Sequence, residues 1–230
     1  GRTVTRTIPV ATVAALLSLA SSTANAAIML FEYGLNIDGD LTTDTSWPPG
    51  VDASAFDVVT GLGRLSVTVG SPGAHEVLVY FDHEIDEETN TFFNELGETG
   101  GGAPAAGQSW EIDEPGFSAT PGDIYENWLN GDLDNSVGFL DPDDVAMALG
   151  FDFVLAAGEQ AVVNFYTSPV NGAPGFFLRH WDPDSDLELY FWSSIGIDRV
   201  PVPDPGSFGL LPMGLLTFAA LRAAARRMRT

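Results

Sequence analysis

The middle of the chain consists of short apolar runs that end at Gly, Pro or Asp turns, and this pattern favours a β-rich fold. Residues 65–69 alternate apolar and polar side chains, the period of two that marks a half-buried strand. Residues 28–36, 76–81 and 145–155 are further strand candidates with little helical periodicity. The pattern predicts one all-β domain over residues 27–199, an antiparallel β-sandwich of jelly-roll-like type.

The turns between these runs predict which strands pair. A Ser-Pro-Gly-Ala turn at 71–74 predicts that strands 65–69 and 76–81 form an antiparallel hairpin. The same reasoning predicts that strand 145–155 returns as 161–167. A third pair is expected between strands 176–181 and 187–192.

One short helix and a set of core aromatic residues complete the predicted domain. Residues 123–129 read as a helix, with Asp123 as its N-terminal cap. The large aromatic side chains of the second half are expected in the core or at its edge: Phe151, Phe153, Phe165, Tyr190 and Trp192.

The charge distribution excludes whole classes of partner. The chain has a formal net charge of −23 and no lysine, and only Arg64, Arg179 and Arg199 accompany all 32 acidic residues between residues 27 and 221. Such a surface repels phosphate backbones, so nucleic acid is not an expected partner. The absence of cysteine excludes disulfides, zinc–thiolate sites and thiol catalysis.

The N-terminal residues 1–26 have the features of a secretory signal peptide. Arg2 and Arg6 form a basic start, and residues 8–20 form an apolar run too short to span a bilayer. Ala24 and Ala26 fit an A-x-A cleavage site, which makes Ala27 the first mature residue. The sequence therefore predicts an exported protein.

The C-terminal thirty residues have three parts in a fixed order. Residues 200–205 form a proline-rich linker, in which every second residue is Pro. Residues 206–225 form an expected transmembrane helix, close to the roughly 20 residues that span a bilayer. The arginines that follow favour the cytoplasmic side, which places residues 226–230 in a basic cytoplasmic tail. These basic residues are Arg222, Arg226, Arg227 and Arg229.

This C-terminal segment resembles the PEP-CTERM sorting signal of exported bacterial proteins. The resemblance rests on the motif Val202, Pro203, Asp204, Pro205 and Gly206, followed by the Leu- and Gly-rich stretch and the arginines. Asp204 stands where the family usually has Glu. The resemblance implies recognition by an exosortase-type membrane enzyme and transient anchoring. Release or attachment at the cell surface, in an exopolysaccharide-rich biofilm matrix, would follow. An ordinary C-terminal membrane anchor is the alternative.

Acidic runs make calcium the one candidate cofactor. Hard Ca²⁺ takes six to eight oxygen ligands, and carboxylates two residues apart in a turning loop can converge on it. None of the three acidic runs, at residues 36–40, at residues 132–144 (ending with Asp144) and at residues 82–86, fits the twelve-residue EF-hand pattern. The run at 82–86 includes Asp82, Glu84 and Asp86. The candidate ligands from the other two runs are Asp38, Asp40, Asp132, Asp134, Asp141 and Asp143.

No catalytic motif emerges from the sequence. His83-Glu84 begins like the metalloprotease pattern H-E-x-x-H, but Glu87 stands where the second His is required, so residues 82–91 read as a solvated acidic loop. The histidines are isolated, and no acidic pair can be nominated for hydrolysis. The tryptophans could form a sugar-stacking face or belong to the core: Trp110, Trp128, Trp181 and Trp192.

These observations predict an exported, non-catalytic protein of the cell envelope or extracellular matrix, with extracellular polysaccharide as a candidate partner. A calcium-stabilised glycan-binding or adhesion module is one alternative. A secreted hydrolase is the other, and it would require a concave site with a carboxylate pair.

Overall fold

The computed structural model describes residues 28–43, 46–86, 91–116, 122–138 and 141–200. In these ranges, no helix has both the length and the apolar character needed to cross a bilayer. Predictions for the two ends of the chain lie outside the described residues. They concern the signal peptide 1–26 with its cleavage residues Ala24, Ala26 and Ala27, the sorting motif 202–206, the transmembrane helix 206–225, and the basic residues Arg222, Arg226, Arg227 and Arg229.

The described residues form two antiparallel β-sheets, one short α-helix and one 3₁₀ turn at Phe92–Asn94, which confirms the all-β prediction. The first sheet has the strand order β2-β1-β5-β8-β7 and the second has the order β3-β4-β9-β11-β10-β6. The strands are β1 Ile28–Ile37, β2 Asp40–Thr42, β3 Val51–Asp57, β4 Leu62–Val69, β5 Gly73–Ile85, β6 Leu96–Gly100, β7 Gln108–Asp113, β8 Ala146–Leu155, β9 Glu159–Ser168, β10 Phe177–Asp182 and β11 Leu187–Arg199. The helix, α1, spans Ile124–Asn130.

The main core lies between the two sheets. Alternation along each strand sends every second side chain inward, as along β9, where alternate residues are buried. Phe151 and Phe165 are buried as predicted, and Phe153 is partly buried against the core. Tyr190 and Trp192 alternate with the buried Leu189 and Phe191, so they lie on the outer face of the second sheet.

Two of the three predicted strand pairs are wrong. Strand β4 pairs with β3 and β9, whereas β5 pairs with β1 and β8, so the turn at 71–72 carries the chain from one sheet to the other. In the same way, β8 and β9 belong to different sheets. A short turn can join two strands of the same sheet as a hairpin or two strands of facing sheets as an arch. The arch is formed here because each strand then buries its apolar side chains between the two sheets. The third pair, β10 with β11, is confirmed.

Helix α1 covers the outer face of the first sheet and forms a second apolar cluster there. Ile124 and Trp128 of the helix pack with Leu78 and Tyr80 of β5 and with Ala146 and Ala148 of β8. The Nδ2 atom of Asn36 on β1 donates to the carbonyl oxygen of Trp128 at 2.9 Å and so ties the helix end to the sheet. Asp123 occupies the predicted cap position, but its side chain makes no capping hydrogen bond.

Candidate metal centre

The predicted acidic loop at 82–91 is wrong over its first four residues, because they form the buried end of β5. The ladder with β1 continues to Ile28 opposite Ile85. Asp82 is 1% exposed, Glu84 is 5% exposed and His83 is fully buried. Backbone pairing therefore holds this polar segment inside the protein, whereas its acidic composition predicted that it is exposed to solvent.

The alternation of β5 places Asp82 and Glu84 on one face. They lie on the same side of the first sheet as Leu78 and Tyr80, which pack under α1. Asp144 joins them from the segment that leads into β8. Asp82 is opposite Ala146 in the β5–β8 register, and two further residues of the same antiparallel register bring Asp144 beside Glu84. Strand β5 thus supplies two of the carboxylates, and the segment before its neighbour β8 supplies the third.

The three carboxylate groups converge closely. Each of Asp82, Glu84 and Asp144 offers an oxygen atom, and these three atoms all lie within 4.8 Å of one another. We call this group the β5–β8 triad. Glu32 adds a fourth carboxylate nearby, since it is the register partner of Asp82 on β1.

The electrostatic environment of the triad is unfavourable for so many anions. Burial raises the pKa of Asp82 to about 9, and the other causes are all carboxylates: Asp144, Glu84, Glu32 and Glu95. Burial also raises the pKa of Asp144 to about 7, again with help from neighbouring carboxylates. No arginine contributes to either shift. Protons or a cation must therefore balance the charge.

Several oxygen atoms around the triad have no hydrogen-bond partner among the described residues. Asp82 Oδ1, Asp144 Oδ1 and the Tyr80 hydroxyl are each shielded from solvent and unpaired. Buried polar atoms are normally hydrogen-bonded, so three such atoms in one place require an explanation. A bound cation, coordinated by the lone pairs of these oxygen atoms, would provide that explanation.

A second group of carboxylates is already satisfied by the protein. Oxygen atoms of Glu111, Asp123 and Asp134 lie within 4.8 Å of one another. The Glu111 carboxylate accepts from Asn127 Nδ2 at 3.0 Å and from the backbone N–H of Asp134 at 3.2 Å. Asp123 and Asp134 are exposed. This group links β7 to α1 and the loop after it.

The six predicted calcium ligands do not form one group. Asp38 binds His75 instead, Asp40 is exposed on β2, and Asp132 is exposed in the loop after α1. Asp134 belongs to the Glu111 group, Asp141 is exposed, and Asp143 pairs through its backbone with Glu95. The structure thus divides the acidic run 132–144, sending Asp134 to one group and Asp144 to the other.

The sequence analysis placed Asp82 and Glu84 in one acidic run and Asp144 in another, but it did not predict that the three meet in the β5–β8 triad, although two signals pointed to it. Asp82 and Glu84 are two residues apart after a continuously apolar strand, which is the spacing of neighbours on one strand face. Asp144 directly precedes the apolar run of β8. What the sequence could not supply was the pairing of β5 with β8.

Two buried histidines lie near each other between the sheets, His83 on β5 of the first sheet and His180 on β10 of the second. His180 Nε2 lies 2.7 Å from Glu95 Oε2, and both side chains are fully buried. Burial lowers the pKa of His180 to about 3 and that of His83 to about 3, so both rings are neutral near pH 7. Since His83 and Glu84 are neighbours on a strand, they face opposite sides, and a metalloprotease helix is excluded here.

The outer face of the second sheet carries a row of partly exposed aromatic rings. Trp192 stacks on Tyr166, its partner on the next strand, with centroids 5.3 Å apart and planes 9° apart. The Arg179 guanidinium lies 4.5 Å from the centre of the Trp181 ring, held by Glu98 and Glu188. We call Tyr166, Trp181 and Trp192 the aromatic face.

The four tryptophans predicted as a sugar face are divided by the fold. Trp181 and Trp192 belong to the aromatic face of the second sheet. Trp128 is fully buried under α1, and Trp110 packs against Phe176 at the core, with ring centroids 5.5 Å apart. Two of the four therefore have the exposure that stacking on a ligand requires.

Comparison with known proteins gave no match: no family model, no curated protein and no solved structure corresponds to this chain.

Proposed function

We propose that this chain is an exported, non-catalytic protein of the cell envelope or extracellular matrix, delivered by an exosortase-type sorting system. The observation that carries the proposal is the order of segments: basic start, short apolar run, anionic domain, proline-spaced motif, uncharged stretch and arginines. Any one of these features is common, but the complete order is specific to exported proteins with this kind of tail.

The limits of the sandwich agree with this division. Strand β1 begins at Ile28, the second residue of the proposed mature chain, and β11 ends at Arg199, directly before the proline-rich linker. All the strands of the described sandwich therefore lie between the two proposed delivery segments. We also propose that the β-sandwich is of jelly-roll-like type.

The contacts of the histidines support a non-catalytic role. His75 is engaged with Asp38 and with the carbonyl oxygen of Ser71. His83 and His180 are fully buried and neutral, so they cannot reach a substrate at the surface. The carboxylates of the β5–β8 triad are likewise buried, whereas hydrolysis of a glycan needs a carboxylate pair in an open cleft.

Intact mass measurement tests the sorting proposal. The protein would be isolated from its native host, grown with and without the sorting enzyme. We expect a mature N-terminus at Ala27 in both, and a C-terminus shorter than Thr230 only when the enzyme is present. An intact C-terminus through Thr230 in both cultures would remove the processing proposal and leave an ordinary membrane anchor.

The aromatic face favours a second candidate function, the binding of a glycan. Flat rings on an open sheet face can stack on sugar rings, and the Trp192–Tyr166 pair presents such a surface. The domain is strongly acidic, so a neutral glycan is the expected ligand, because an anionic one would be repelled.

Affinity electrophoresis in gels containing neutral polysaccharide tests this candidate. We expect Trp192→Ala to lose the retardation that the wild-type protein shows, because the stacked surface is gone. Phe31→Ala is the matched control, since Phe31 is an exposed aromatic residue on the first sheet. Equal retardation of all three proteins, or none with the wild type, would contradict glycan binding at this face.

A further inference from the structure

We propose that Asp82, Glu84 and Asp144 bind a resident calcium ion at the buried end of strands β5 and β8. The proposal concerns a site inside the folded domain and does not depend on where the chain is delivered. It differs from the sequence prediction in its grouping, because Asp82 and Glu84 belong to one acidic run and Asp144 to another, and they come together only through the pairing of two strands.

The spacing of the carboxylates suits a calcium ion. Calcium–oxygen distances are about 2.3–2.6 Å, so one ion can contact oxygen atoms that lie up to roughly 5 Å apart. The three oxygen atoms of the triad lie within 4.8 Å of one another. They need no rearrangement of the backbone to share one ion, since strand pairing already holds their Cα atoms in place.

Tyr80 gives a second and independent indication of a ligand. Its side chain is fully buried, and its hydroxyl has no hydrogen-bond partner among the described residues. Tyr80 leaves β5 on the same face as Asp82, which follows it by two residues. Burial, and then the nearby carboxylates of Asp82, Glu32 and Asp144, raise the pKa of its hydroxyl. An uncharged phenol therefore points toward this anionic site, where an ion could use its oxygen or a water bound to it.

The unpaired carboxylate atoms point the same way. Asp82 Oδ1 and Asp144 Oδ1 are buried and receive no hydrogen bond from the described protein groups. Leaving a buried acceptor unsatisfied costs free energy, and leaving a buried charge unpaired costs more. A divalent cation would satisfy both atoms and neutralise most of the local charge.

The donor set selects calcium over other divalent ions. The triad offers only oxygen atoms, which suit hard cations, and it lacks the histidine or cysteine that zinc favours. Magnesium demands near-ideal octahedral geometry and keeps several waters, whereas calcium accepts irregular sets of protein oxygens. The three carboxylates of the triad, two from β5 and one from the segment before β8, form an irregular oxygen set of the kind that calcium accepts.

An ion here would fix the segment before β8 against β5. Asp144 precedes Ala146 and Ala148, which pack with Trp128 in the cluster under α1. Calcium would therefore stabilise the helix side of the first sheet as well as the site itself. At a free calcium concentration 100 times the dissociation constant, the folding equilibrium constant should rise about 100-fold.

Thermal unfolding of the full-length protein tests the site. The protein would be stripped with a chelator, dialysed, and melted with and without millimolar CaCl₂, and MgCl₂ would serve as the comparison salt. We expect calcium to raise the melting temperature clearly more than magnesium does. Calorimetric titration of the stripped protein should give a stoichiometry near one ion per chain.

Variants assign the effect to the triad. Asp82→Asn should abolish the calcium response and, in the absence of metal, melt at or above the wild-type temperature, because Asn is a neutral group of nearly the same size that cannot ionise beside the remaining carboxylates. Asp144→Asn provides the same test if Asp82→Asn fails to fold. Asp134→Asn is the matched control from the Glu111 group and should keep the wild-type calcium response.

Three results would overturn the proposal. The first is a melting temperature that calcium does not change, which would mean that protons balance the triad. The second is a calcium response that survives in both Asp82→Asn and Asp144→Asn. The third is a response lost in Asp134→Asn but kept in the triad variants, which would place the ion in the Glu111 group.

Discussion

His75 is held in a setting that selects its protonated form. Its Nδ1 lies 2.7 Å from Asp38 Oδ2, and its Nε2 lies 2.7 Å from the carbonyl oxygen of Ser71. A carbonyl oxygen and a carboxylate can only accept, so both ring nitrogens donate and the ring carries a positive charge. The hydrogen bond to Asp38 is the largest cause of the raised pKa of His75.

This ion pair predicts a specific dependence of stability on pH. Because the folded pKa of His75 is raised, its stabilising contribution is fully present below the unfolded pKa, about 6.5, and is lost as pH rises through the folded value. We expect the difference in unfolding free energy between the wild type and Asp38→Asn to be largest below that pH and to shrink above it. Urea unfolding across pH 5 to 9 measures it.

Asp40→Asn is the matched control for this prediction. Asp40 lies two residues from Asp38 at the same strand turn and is exposed. Titration of carboxylates remote from Asp38 affects all three proteins equally and cancels in the differences. Glu76 does not cancel, because burial and, in smaller part, Asp38 raise its pKa to about 7, so the comparison is repeated in a Glu76→Gln background. A wild-type minus Asp38→Asn difference that is constant over the whole range would show that His75 does not carry the charge we assign to it.

The same residue scale shows where sequence reasoning stops. Asp38 adopts the left-handed conformation at its turn with Gly39, with φ of 55°. Its partner is His75, 37 positions away in the chain, which composition and spacing cannot reveal. Asp82 and Asp144 are a similar case, since each looks like a solvated acid until strand pairing buries it.

At the scale of elements, the docking of α1 depends on one glycine. The Trp128 ring lies directly over Gly34 on β1, where an added Cβ would overlap ring atoms Cζ2 and Cη2. Trp128 is fully buried and cannot move without disturbing Tyr80 and Ile124. Gly34 therefore acts as the recess that receives the tryptophan.

We expect Gly34→Ala to destabilise the protein by about 1–3 kcal/mol, the usual cost of overpacking a filled core. Gly196→Ala is the control, because Gly196 is also in a strand interior but nothing lies within 4 Å of its added Cβ. Chemical unfolding monitored by tryptophan fluorescence compares them. Equal stabilities for the two variants would contradict the close packing of Trp128 on β1.

Elements also show how much of the fold the sequence could predict. Period-two alternation and turn residues located β1, β4, β5 and the β10–β11 pair near their observed positions. They failed on β4–β5 and β8–β9, where the chain crosses between sheets. A turn constrains only a few backbone angles, whereas the choice of partner strand depends on which faces can be buried together.

At the scale of the whole molecule, the basic residues are concentrated at the two ends of the chain and the acidic residues in the sandwich. The described sandwich has three arginines, and Arg179 is committed to Glu98 and Glu188. Four of the remaining six arginines lie after residue 221 and two lie before residue 27. This separation is what the proposed delivery segments require, since in that proposal the basic residues would mark the cytoplasmic side and the anionic domain would be exported.

The variant Asp204→Ala tests most directly whether the sandwich folds independently of its sorting tail, because both its cellular location and its stability can be measured. We predict that this variant, expressed in the native host, melts at the wild-type temperature but changes its distribution between the membrane, cell-surface and released fractions. Asp198→Ala, an exposed acid near the end of β11, should keep the wild-type distribution. A wild-type distribution of Asp204→Ala, or loss of its folded domain, would contradict the separation of the sandwich from its sorting tail.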